Sequence, residues 1–109
     1  MGKEPAREPT LRESARTIRE AIHHELSAGP MTALELSSAV GIPHKAVTEH
    51  LEHLRRSATA AGERFEIDPA SCPDCGFEFR ERSRLTRPSR CPECRSERVV
   101  ALRFRIVRH

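Results

Sequence analysis

Two matched cysteine pairs constrain this chain more than any other feature. Cys72-Pro73-Asp74-Cys75 and Cys91-Pro92-Glu93-Cys94 stand fifteen residues apart. A Cys-x2-Cys sequence places two thiolates on one tight turn, about the bite that tetrahedral Zn–S coordination near 2.3 Å requires. A proline after each first cysteine stiffens the turn, and Gly76 supplies a backbone position without a Cβ. Two such knuckles close an S4 shell with no position left for water, which makes the site structural rather than catalytic. Cys72, Cys75, Cys91 and Cys94 are therefore read as the ligands of one structural Zn2+. Two readings compete. Disulfides or free thiols are disfavoured if the chain works in the cytoplasm, where thiols stay reduced. Four thiolates also hold iron, which would make a rubredoxin-like electron carrier. Against iron, the chain has no Trp or Tyr and only four Phe to wrap a redox centre.

A metal staple also suits the chain's size. With 109 residues, 32% of them charged, it buries a modest core. No segment approaches the roughly 18 apolar residues that a membrane span needs. The opening Met-Gly-Lys-Glu-Pro has no apolar segment behind its charge, and Ala6 stands where a myristoylation signal wants Ser or Thr. The expectation is a cytoplasmic protein with no membrane partner.

Charge is unevenly spread. Residues 1–69 carry nine Lys/Arg against eleven Asp/Glu, whereas residues 70–109 carry ten Arg against five acids. The cysteine half is thus the basic half, and its cations are all Arg, whose forks grip phosphate or carboxylate better than Lys does. Arg80, Arg82, Arg84, Arg87 and Arg90 fall in one eleven-residue stretch between the knuckles. Such a cluster is an electrostatic footprint for phosphate, positioning a protein without reading sequence; a solvated hairpin is the bland alternative.

Ahead of the ribbon the pattern is helical. Residues 1–9 read as a disordered lead-in. Thr10 and Glu13 form a capping box, followed by a stripe of Leu11, Ala15, Ile18, Ile22 and Leu26 that ends at Gly29-Pro30. Thr32 and Glu35 form a second box, opening a short helix through Ala33, Leu36 and Val40 that Gly41 closes. Pro43 begins a third helix reaching about Ser57, with Val47, Leu51, Leu54 and Ala58 on one face. The last two helices, joined by a tight Gly-containing turn, make a helix-turn-helix. Beyond Gly62 the period changes to two. Phe65 with Ile67, Phe77 with Phe79, and Val99–Val107 each read as short strands.

If the third helix enters a groove, its solvent face reads the bases. That face carries Lys45, Glu49, Glu52 and Arg56, expected as Lys45–Glu49 and Glu52–Arg56 pairs, and is nearly neutral. His44, Thr48 and Arg55 along one flank are better placed for contact. The candidate nucleic-acid residues are therefore His44, Lys45, Thr48, Arg55, Arg80, Arg82, Arg84, Arg87 and Arg90. His50 and His53 have i,i+3 spacing but face a shell already filled by cysteines, so they are read as packing or solvated residues. His23-His24 shows no partner pattern.

Residues Met31–Val107 resemble a family of small prokaryotic predicted transcriptional regulators in which a helix-turn-helix is fused to a zinc ribbon. The matching stretches are Thr32–Ser37 with Val40-Gly41-Ile42, Val47–His53, Arg64–Ile67, Cys72–Phe77 and, most distinctively, Arg84–Arg98. The resemblance implies a winged-helix-like domain, zinc bound by the four cysteines, and a DNA-binding regulatory role. One departure is Pro43, where a Ser-type cap is expected before the recognition helix.

The expected architecture is α+β: a three-helix, winged-helix-like helix-turn-helix over residues 10–68, then a small antiparallel zinc ribbon over 69–109. The expected function is DNA-binding transcriptional regulation with duplex DNA as partner. The alternative is an adaptor whose ribbon docks an acidic protein. No Ser/His/Asp, Walker or open-metal constellation appears, so no enzymatic activity is expected. Oligomeric state is not legible.

Overall fold

The computed structural model describes residues 11–80 and 84–108. The expected lead-in, the Thr10–Glu13 capping box and Arg82 lie outside the described residues. Three helices are followed by a small antiparallel sheet, with the cysteine ribbon between its last two strands.

Helix α1 (Leu11–Ala28) stops at Gly29-Pro30 as its sequence dictates, burying Ile22 and Leu26 from its apolar stripe. Strand β1 (Met31–Thr32) leads directly into α2 (Ala33–Val40). The Thr32 hydroxyl accepts from the Glu35 N–H at 3.1 Å, and the Glu35 carboxylate accepts from the Thr32 N–H at 3.0 Å. The capping box is complete. At the other end Gly41 sits at φ 76°, and its N–H donates to the Ser37 carbonyl at 2.9 Å. That left-handed position turns the chain abruptly into α3 (His44–Ala58), which buries Val47, Leu51, Leu54 and Ala58. Pro43 is the residue before α3 and makes no side-chain cap. It lacks a side-chain acceptor, so its fixed φ of −59° starts the helix instead.

Strand β2 (Glu63–Asp68) and strand β3 (Arg103–Arg108) complete the sheet in the order β1-β3-β2, all antiparallel. In this register Phe104 lies opposite both Met31 and Ile67, and Ile106 opposite Phe65. The alternation anticipated at the C-terminus is realised, with Leu102, Phe104 and Ile106 buried.

Arg103–Arg108, at the end of the 69–109 segment read as the ribbon, pairs with β1 and β2, beside the helices. Its apolar face of Phe104 and Ile106 finds its hydrophobic cover there, from Phe65, Ile67 and Met31. Residues 69–102 thus form an excursion between two paired strands. Within it, Ser71 bridges Glu78 on one side and Val100 on the other, and Phe77 and Phe79 meet edge-to-face at 5.0 Å. These are isolated bridges, not the strand that the Phe77/Phe79 alternation predicts. The knuckle turn leaves too few residues for a ladder. A continuous core runs from Leu26 and Leu51 through Phe104 to Leu85, Val99, Cys72 and Cys91.

Candidate metal centre and basic face

The two knuckles repeat one backbone design. In the first, the Cys72 N–H donates to the Phe77 carbonyl and the Gly76 N–H to the Cys72 carbonyl, both at 2.8 Å. In the second, the Cys91 N–H donates to the Ser96 carbonyl at 2.9 Å and the Arg95 N–H to the Cys91 carbonyl at 2.8 Å. The residue after each second cysteine is left-handed, Gly76 at φ 80° and Arg95 at φ 63°. The first was legible from its glycine. The second carries an arginine, and nothing in its identity announced the conformation.

These turns bring the four sulfur atoms within 4.8 Å of one another. Two contacts run between knuckles, 3.5 Å from Cys72 to Cys94 and 3.6 Å from Cys75 to Cys91. Tetrahedral coordination at the usual Zn–S length sets sulfurs about 3.8 Å apart, close to these two separations. All four cysteines are free of disulfides. Cys72 and Cys91 are buried and form the floor, while Cys75 and Cys94 face outward.

Electrostatics points the same way. Burial pushes the Cys72 thiol up, but N–H donation from Cys75 and Asp74 outweighs it and brings the pKa to about 7. For Cys75 the Phe77 N–H acts downward, yet burial and the three neighbouring thiols prevail and push it up to about 12. Cys94 is raised as well: the Ser96 N–H acts downward, and the adjoining Cys72 sulfur and burial overcome it. Cys72 ionises readily while Cys75 and Cys94 resist, so a cation is what holds the sulfurs together as thiolates. The chain binds one structural Zn2+ through Cys72, Cys75, Cys91 and Cys94.

A clamp unforeseen from sequence crosses outside the sulfurs. The Ser96 hydroxyl donates to the Asp74 carboxylate, and Arg98 approaches the same carboxylate at 3.5 Å. The partners are some twenty residues apart, beyond any local pattern. A second long-range pair joins His23 of α1 to Glu63 of β2, Nε2 to carboxylate oxygens at 2.9 and 3.0 Å. No local pattern pointed to this contact, which the packing of α1 on the sheet creates.

The basic candidates divide into tied and open groups. Leu85 and Pro88 are buried and anchor the loop between the knuckles. Arg87 donates to the Val99 carbonyl at 3.3 Å, Arg90 pairs with Glu97 at 3.3 Å, and Arg80 pairs with Glu78. Arg84 is exposed. On α3, His44 and Lys45 are exposed and Thr48 is half-buried. Glu52 pairs with Arg55 at 3.5 Å, replacing the expected Glu52–Arg56 pair; an i,i+3 partner lies as close on a helix as an i,i+4 one. His44 and Arg87 line the same cleft, which brings the start of α3 beside the arginine loop.

Comparison with known proteins agrees with this architecture. Residues 17–65 match a family model described as PF0610-like, N-terminal, and residues 69–109 match the PF0610 rubredoxin-like zinc beta-ribbon domain. The solution NMR structure of protein PF0610 from Pyrococcus furiosus is similar at 30% identity and a TM-score of 0.74. The match covers 98% of this chain and 100% of that one. A search of curated proteins returned no match. Among the described residues no helix is long and apolar enough to cross a membrane.

Proposed function

The chain belongs to the PF0610-like family, and from that premise we propose that it is a DNA-binding transcriptional regulator whose zinc ribbon takes the place of a wing. The observation that carries this reading is the shared cleft of His44 and Arg87. It sets the N-terminus of α3 and the loop between the knuckles on one side of the molecule. Topology supports it too, because the ribbon is inserted between β2 and β3, where a winged helix carries its hairpin. The first turn of α3 holds no acidic residue, so its positive dipole end is open to phosphate. In this reading His44, Lys45, Thr48 and Arg55 meet the groove, and Arg80, Arg82, Arg84, Arg87 and Arg90 hold adjacent phosphates. The zinc holds the loop in place, the protein works in the cytoplasm, and no catalysis is assigned to it.

The test is the salt dependence of random-duplex binding, followed by fluorescence anisotropy. Each phosphate contact contributes about 0.9 to the slope of log K against log salt, so Arg84→Ala with Arg87→Ala reduces the slope by about 1.8. Affinity that is unchanged between low and moderate salt refutes the proposal. A second reading, an adaptor that docks an acidic protein through its ribbon, is favoured by the near-neutral α3 face, where Glu52 already neutralises Arg55. It predicts no shift changes on α3 with DNA and capture of a protein through the ribbon.

A further inference from the structure

We propose that the cleft between the helical unit and the ribbon is a binding site for a small organic carboxylate with a short apolar body. The cleft has a volume of about 470 Å3, within the range of roughly 300–1,000 Å3 typical of small-molecule sites. Leu85, Leu102 and Phe104 form its floor, contributed by the ribbon loop and the start of β3. Leu34, on the first turn of α2, forms a wall and is 66% exposed, the most exposed large apolar side chain among the described residues. An apolar floor with an unshielded leucine beside it favours a ligand that brings its own apolar surface.

The polar groups of the cleft specify the other end of the ligand. Arg87 and His44 both line it, and among the described residues no carboxylate does. One Arg87 nitrogen is committed to the Val99 carbonyl, which fixes the guanidinium while leaving further N–H donors of its fork for a ligand. A planar fork held in this way matches a carboxylate in two-point contact. Inorganic phosphate is strongly hydrated and has no apolar part to lay against Leu34, so it satisfies only half of the site. The walls come from two units, so an occupant would brace the arginine loop against the beginning of α3.

Methyl and amide NMR spectra of the zinc-loaded full chain, titrated with phenylacetate, test the assignment. Phenylacetamide and inorganic phosphate serve as probes of each half. The expected result is saturating movement of the Leu34, Leu85 and Leu102 methyl signals with Kd at or below about 1 mM. Phenylacetamide binds about tenfold more weakly for want of the charge-assisted contact, and Arg87→Gln weakens phenylacetate by a similar factor of about ten. Leu34→Ser, at an exposed position that leaves the core intact, weakens it about threefold or more through lost apolar contact. No saturation by about 10 mM overturns the proposal. So does phosphate moving the same methyl signals as strongly, or the amide binding as tightly as the acid. The site does not depend on the DNA reading: phenylacetate binding without DNA binding would remove that reading and leave this one.

Discussion

The paired knuckles allow a clean test of what backbone conformation contributes to the metal centre. They share the same hydrogen bonds and the same left-handed residue, yet one carries Gly76 at φ 80° and the other Arg95 at φ 63°. A side chain in the left-handed region costs about 1–2 kcal/mol. Replacing it by glycine removes that cost but adds about 0.4–1 kcal/mol of unfolded-state entropy. Arg95→Gly is thus expected to stabilise the ribbon by about 0.5–1 kcal/mol, since the exposed Arg95 side chain makes no ion pair among the described residues. For a domain of this length that raises Tm by about 2–8 °C. Gly76→Ala is the mirror experiment. A Cβ at Gly76 meets nothing within 4 Å, so only backbone strain opposes it, and the loss is again about 0.5–1 kcal/mol. Thermal melts of the zinc-loaded protein under reducing conditions measure both changes, and the half-time of zinc release to EDTA should move in the same sense. A lower Tm for Arg95→Gly, or an unchanged one for Gly76→Ala, refutes the reasoning.

Zinc removal should melt the excursion and spare the rest: hydrogen exchange on the chelated protein is expected to lose protection at Ser71 and Val100 while retaining it across the β2–β3 pairing. Collapse of the helices with the ribbon would show a single cooperative unit instead. Thr32→Ala removes the acceptor that caps α2 and should cost about 1 kcal/mol in urea denaturation. The Glu35 carboxyl is held below its ordinary value of 4.5, first by the Thr32 backbone N–H. Its folded pKa is depressed, so its contribution is present above the unfolded value and disappears as pH falls through the folded one. The stability gap between wild type and Glu35→Ala should accordingly be open at neutral pH and close on acidification; a gap that widened in acid would contradict the assignment.

How much of this was legible beforehand follows from the range of each interaction. Each cysteine pair, the capping box of α2, the Gly41 turn and successive members of the buried α3 stripe are set by residues within four positions of one another, and spacing alone exposes them. The Val99–Val107 alternation announced a strand with a buried face, but not its neighbours. Whether Phe104 packs inside the ribbon or against Ile67 and Met31 depends on where enough apolar area gathers, which is a property of the assembled chain. The Asp74–Ser96 clamp, the His23–Glu63 pair and the cleft shared by His44 and Arg87 likewise exist only because distant segments are brought together. The cysteines by themselves determined that the chain holds a metal and where. Only the tertiary structure decided that the metal-bound ribbon is a loop between two strands of the helical unit's own sheet, because β3 finds its hydrophobic cover there.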